Sequence, residues 1–165
     1  MIATLMEYAK HKNGTYVSMD LRDECKALLD NFVEMNLGLT ERVDSSTYHI
    51  TVIYSRSPVP SAEQYAGSTT DIEAKVSGYE IFPTKNDGKC LVMRLDFPFA
   101  TMLNKQLTAQ GATSDYDSYK PHMTIAYDIQ QEVDAGSLPI PQFPLKFGSV
   151  KVAPLEPDYI PKNKE

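Results

Sequence analysis

His49-Ile50-Thr51-Val52-Ile53-Tyr54 returns about seventy residues later as His122-Met123-Thr124-Ile125-Ala126-Tyr127. Both copies read His, apolar, Thr, apolar, apolar, Tyr. Two imidazoles and two hydroxyls converging on one cleft suit phosphodiester cleavage. A neutral imidazole can take a proton from a nucleophile while a charged one gives a proton to the leaving oxygen. The hydroxyls can donate to phosphoryl oxygens, where charge builds in the transition state. One His-x-Thr alone would read as a hydrogen-bonded structural histidine. The chain, however, has three histidines, and two of them sit in matching contexts. His49, Thr51, His122 and Thr124 are therefore the expected catalytic residues.

Such residues need a strand to hold them. Alternating β-branched and apolar residues favour one, and side chains at i and i+2 then share a face. Each motif should present its His and Thr on one face. Ile50, Val52 and Tyr54, with Met123, Ile125 and Tyr127, should point the other way into a core. Ahead of the first motif, the turn signal Asn13-Gly14 precedes an alternating strand from Thr15 to Asp20. Asp20 is expected to cap a helix from Arg22 to about Asn36, with Cys25, Leu28, Leu29, Phe32 and Met35 inward and Gly38 ending it.

Between the motifs, Pro58, Pro60 and the run from Gly67 to Thr70 read as loop. Ile72 to Phe82 reads as a strand with a bulge near Gly78, and Asn86-Asp87-Gly88-Lys89 as a hairpin turn. Cys90 to Phe97 should then turn Leu91, Met93, Leu95 and Phe97 to one face and Val92 to the other. A second helix is expected from Phe99 to Gln110, with Met102, Leu103 and Leu107 inward and Gly111 as its stop. Thr113 to Pro121 is a loop before the second motif. A Pro-rich excursion leads to a last strand, Leu145 to Leu155, and the tail from Pro157 to Glu165 is expected to be extended or loose. Each half thus repeats the order strand or hairpin, helix, His-x-Thr strand.

Paired His-x-Thr strands in that order resemble the two-histidine (2H) phosphoesterase superfamily. The resemblance spans about Thr15 to Glu156 and is nearest to the phage anti-CBASS members, which degrade the cyclic nucleotide signals of bacterial defence. It implies an α+β fold of two pseudo-symmetric lobes, antiparallel strands backed by helices, with a central cleft. It also implies hydrolysis of a small 3′–5′ cyclic nucleotide by His/His acid–base catalysis. In the phage members a C-terminal acidic residue followed by an aromatic contacts the base, which points here to Glu156 and Tyr159. The chain has no tryptophan, and so departs from the family where one would be expected.

Further substrate contacts are expected from Tyr16 on the first strand, by stacking or through its hydroxyl. Tyr116 and Tyr119 offer stacking surfaces beside the second motif, and Lys120 a cation for phosphate. The competing readings are a core aromatic for Tyr16 and solvated loop residues for the others. His11, outside any motif, reads as surface. A transition-metal site wants three or four ligands. No carboxylate or cysteine repeats with the histidines, so no metal and no cofactor are expected.

At 165 residues the chain is read as one domain, 1–165, large enough to bury about two-thirds of its surface. A net charge of −6 argues against tracking long nucleic acid and suits a small nucleotide in a cleft. No apolar run is long enough to span a membrane, and the charged N-terminus lacks a signal-peptide pattern. Cys25 and Cys90 fit buried thiols in a reducing cytoplasm. Two alternatives stand beside cyclic-nucleotide cleavage. One is a 2H enzyme opening 2′,3′-cyclic phosphates of RNA ends or ADP-ribose; the other is a non-catalytic module that sequesters cyclic nucleotide. Oligomeric state is not legible.

Overall fold

The computed structural model describes residues 5–68, 72–84 and 88–157. A short helix α1 (Leu5–Lys10) leads to strand β1 (Thr15–Leu21), helix α2 (Asp23–Asn36) and strand β2 (His49–Ser55). Strands β3 (Ile72–Pro83) and β4 (Lys89–Asp96) are followed by helix α3 (Pro98–Ala109), β5 (His122–Ala126) and β6 (Leu145–Pro154). The strands form a six-stranded sheet in the order β2-β1-β6-β3-β4-β5, every pairing antiparallel. That order is a palindrome of roles. The unit β1–α2–β2 matches β4–α3–β5, β6 matches β3, and the halves join where β6 pairs with β3. The α+β fold with pseudo-twofold lobes is therefore what the chain adopts, and both motif strands lie at the outer edges of the sheet.

The core is built from the inward rows of these strands and one stripe of each helix. Val17 and Met19 of β1, Ile50 and Val52 of β2 and Leu91 and Met93 of β4 are wholly buried. Phe97 and Phe147 pack with ring centroids 4.9 Å apart. On α2 the buried stripe is Cys25, Leu29 and Val33, whereas Leu28 and Met35 are 53% and 74% exposed. An i, i+4 row therefore replaces the broader stripe the sequence suggests. On α3 the row is Ala100, Leu103 and Leu107, with Met102 largely outside.

Several local expectations change. Arg22, not Asp20, is the N-cap residue of α2, and no side chain caps it; Asp20 pairs with Lys151 of β6. Gly38, just past the end of α2, has φ 63°, the left-handed turn that lets the helix stop. A 3-10 helix spans Pro60–Tyr65, where loop was expected. His11 is not a surface residue. It is fully buried, with Nε2 2.9 Å from Glu63 and Nδ1 3.1 Å from the Thr15 hydroxyl. That hydroxyl also accepts from Val59 N, so His11 ties α1 and the 3-10 helix to the start of β1. Beside it Gly14 has φ 121°, and a Cβ there would lie 2.0 Å from the Ser55 carbonyl oxygen. The bulge near Gly78 is present, between Val76 and Gly78. The Asn86–Lys89 hairpin turn lies partly outside the described residues, and residues 158–165 of the tail wholly so. No helix among the described residues is long and apolar enough to cross a membrane.

Candidate active site

The sheet curls until its two edges, β2 and β5, touch. The stitching is reciprocal. Each motif strand carries a β-bulge immediately after its threonine. In β2, Val17 faces Ile53 while Ser18 faces Thr51, leaving Val52 as the extra residue. In β5, Leu91 faces Ala126 while Val92 faces Thr124, leaving Ile125. A bulge interrupts the ladder, and each freed carbonyl is bound from the opposite lobe. Asn104 of α3 donates to Val52 O at 2.9 Å, and Val43 N donates to Ile125 O at 2.8 Å.

The bulges also correct the expected faces. Alternation holds from His49 to Val52, then slips by one residue, so Val52 and Ile53 both face the core. Tyr54 emerges on the His/Thr face, opposite Tyr16. Tyr127, the sixth residue of the other copy, packs with Phe82, Cys90 and Val92 in a small cluster apart from the main core. Neither tyrosine enters that main core. The signal was in the sequence, since Tyr ends both copies, but a strict period of two hides a bulge.

Both histidines are held alike. His49 Nδ1 donates to Thr47 O at 2.6 Å, and His122 Nδ1 to Lys120 O at 2.7 Å, in each case the carbonyl two residues upstream. A carbonyl only accepts, so Nδ1 carries the hydrogen and Nε2 is the basic nitrogen of the neutral ring. His122 stacks edge-on against Phe82, centroids 5.1 Å apart. Burial pushes its imidazole below the ordinary range, and the charges of Arg94 and His49 push the same way; the Lys120 carbonyl and Glu80 oppose them. The two imidazoles are thus near enough for charge on one to be felt at the other.

Each motif threonine has polar company. Thr51 Oγ1 lies 2.9 Å from the Tyr16 hydroxyl, and Thr124 is in hydrogen-bonding reach of the Tyr127 hydroxyl and the Cys90 thiol. Burial raises the Tyr16 and Tyr127 hydroxyls above their usual range and lifts the Cys90 thiol to about 11, so all three stay protonated at neutral pH. Opposite the histidines on the neighbouring strands stand Asp20, facing His49, and Arg94, facing His122.

Of the expected substrate contacts, Tyr16 joins the motif face directly. Tyr119 gives its hydroxyl to Thr51 O at 2.8 Å, so it links the loop ahead of β5 to β2. Tyr116 packs edge-on against Tyr54 at 5.9 Å. Asp115 of the same loop pairs with Arg56 at 2.9 Å, just beyond the first motif. Lys120 sits 5.9 Å over the Phe82 ring, beside His122. With Asp115, Tyr116, Asp117 and Ser118 it lines a polar pocket of about 230 Å³. Glu156 is exposed beyond the end of β6, where Leu155 N bonds Gly14 O. That end of β1 is about 17 Å along the strand from Asp20, so the structure does not bring Glu156 to His49. Tyr159 lies outside the described residues. Among the described residues no three His, Cys, Asp or Glu side chains gather as metal ligands.

Comparison with known proteins agrees with this architecture. E. coli LigT, solved with NADP+, superposes with a TM-score of 0.53 at 17% identity, covering 87% of this chain and 95% of that one. The protein TT0787 of Thermus thermophilus gives 0.53 at 15% identity, covering 85% and 84%. These likenesses show a 2H phosphoesterase fold. Relatives from Salmonella phage S16 and Enterobacteria phage T4, both described as anti-CBASS protein Acb1, are 30% identical over 138 residues, 83% of this chain and 87% of each relative. The family model for anti-CBASS protein Acb1 matches residues 13–162. The chain belongs to the Acb1 anti-CBASS family.

Proposed function

We propose that this protein is a metal-independent phosphodiesterase that cleaves 3′–5′ cyclic oligonucleotide messengers, acting in the cytoplasm of an infected bacterium. The observation that carries the reading is the duplicate histidine geometry. Two imidazoles, each oriented by an Nδ1–H bond to the carbonyl two residues upstream, sit on edge strands that touch. A structural histidine needs no such twin. The anti-CBASS relatives favour a defence signal as substrate, and the nucleotide in the LigT complex favours a small nucleotide over a polymer.

In this mechanism His49 and His122 are the acid–base pair, while Thr51 and Thr124 donate to the phosphoryl oxygens. The ribose 2′-hydroxyl attacks its own 3′-phosphorus, so proximity comes from the substrate itself. One imidazole accepts the 2′-hydroxyl proton and the other gives a proton to the departing 5′-oxygen. A 2′,3′-cyclic phosphate forms, and water then opens it. Tyr16 and Tyr127 buttress the threonines; Tyr54, Tyr116 and Tyr119 shape the wall of the cleft, and Lys120 supplies a cation at its rim. Glu156 and Tyr159 are carried as base contacts only by the family resemblance.

Incubation with a large excess of labelled cyclic di- and trinucleotides, followed by chromatography, tests the reading. Many turnovers per protein molecule are expected. Stoichiometric binding without product would make the protein a sequestering module. Activity confined to 2′,3′-cyclic phosphates of RNA ends or ADP-ribose would move it to the other branch of 2H chemistry.

A further inference from the structure

The pseudo-twofold relation is obeyed by the motifs, the bulges and the histidine hydrogen bonds, but it is broken in charge. Asp20 of β1 stands opposite His49 and pairs with Lys151 of β6, which faces Ser18. At the equivalent place, Arg94 of β4 stands opposite His122 and pairs with Glu80 of β3, which faces Val92. The same diagonal ion pair occurs in both lobes with its signs exchanged. One motif histidine has a carboxylate across the strand, and the other a guanidinium.

Building on the proposed function, the geometry points to a division of labour: His122 is the general base, His49 the general acid, and Arg94, held by Glu80, is the positioning residue that fixes the assignment. A guanidinium across the strand disfavours a second positive charge, so the imidazole beside it rests neutral and can accept the 2′-hydroxyl proton at Nε2. The burial and charge environment of His122 act in that direction. The charged or titratable groups gathered about His122 include Arg94 and Cys90 of β4, Glu80 of β3, His49 of β2, Tyr127 just past β5, and Lys120 of the preceding loop. Around His49 they include Asp20 and Tyr16 of β1, Lys151 of β6, and His122. Lys26 of α2, bound to Ser46 O at 2.9 Å, and Asp44 both hold the turn before it. As the 2′-oxygen bonds to phosphorus its proton goes to His122. As the P–O5′ bond breaks, the proton of His49 goes to the 5′-oxygen.

The test uses a 3′–5′ cyclic adenylate dinucleotide and its analogue with sulfur bridging the scissile 5′ position. A thiolate leaves without a proton, so only loss of the acid is rescued by sulfur. We expect His49→Ala to be crippled on the oxygen substrate and to recover most of its rate on the sulfur one, while His122→Ala stays slow on both. A companion measurement follows the His122 imidazole by NMR. Its titration midpoint should rise in Arg94→Gln, which loses the cation, and fall in Glu80→Gln, which loses the anion. A purely structural role for the ion pair would not give opposite shifts. Rescue of His122→Ala, or of neither variant, overturns the assignment; unmoved or parallel midpoints overturn the role of Arg94. If both histidine variants cleave the oxygen substrate at the wild-type rate, the fault lies in the proposed function itself.

Discussion

At the scale of single residues, the account rests on four side chains acting as a unit. His49→Ala and His122→Ala should each lose at least about a hundredfold in kcat on a cyclic oligonucleotide, the usual reach of general acid–base catalysis. The double variant should be little worse than either single one, because removing half of a coupled pair already disables it. Steady-state kinetics of the three proteins check this, and near wild-type turnover in either single variant would refute it. Thr51→Val and Thr124→Val keep the strand shape and remove a donor. Each should slow kcat by about a hundredfold, the scale of one oxyanion donor, with circular dichroism unchanged. The rate against pH should be bell-shaped, since one imidazole must be neutral and the other charged. His122, with its proton affinity lowered by burial, charges only as the pH falls below the ordinary histidine range. If it is the base, the acidic limb should sit below the ordinary value of about 6.5.

At the scale of elements, the two bulges decide what the edge strands present. Asn104→Ala would leave the Val52 carbonyl without its side-chain donor, costing about 1–3 kcal/mol for a buried acceptor. Because that carbonyl lies next to Thr51 and just before Tyr54, kcat should fall along with stability; denaturant melts and kinetics on the same samples measure both. Full kcat in a destabilised variant would show that the bulge is only packing. The bulges also explain which parts of the architecture were legible in advance. The chain order of elements within each half, helices α2 and α3 and the faces of β4 followed from alternation and from Pro and Gly punctuation, whereas the short α1 did not. The fate of Tyr54 and Tyr127 did not, because a one-residue slip leaves no mark in composition. Nor did the narrower stripe of α2, where tertiary packing selects Cys25, Leu29 and Val33 from a longer run of apolar positions. His49 and His122 were legible through repetition. Arg94 and Asp20 were not, since their importance comes from cross-strand register that only the folded sheet defines.

At the scale of the whole molecule, a curled sheet lets the two outermost strands meet. His11 shows how far from that meeting the fold is secured. His11→Ala should lower stability by about 2 kcal/mol through two lost buried hydrogen bonds. It should leave kcat unchanged in the folded fraction, and a thermal melt paired with an activity assay reads both. Turnover should also survive EDTA, because the proposed acid–base chemistry takes its protons from imidazoles. Loss on chelation, with recovery on adding one metal, would place the chain among metallohydrolases. The most direct test of the central claim compares a 3′–5′ cyclic ribonucleotide with its analogue lacking the 2′-hydroxyl at the scissile linkage, with products identified by mass spectrometry. The account predicts rapid cleavage of the ribonucleotide through a 2′,3′-cyclic phosphate, and a deoxy analogue that binds but is not cut. Rapid cleavage of the deoxy analogue would mean that water attacks directly, contradicting the mechanism even if both histidines prove essential.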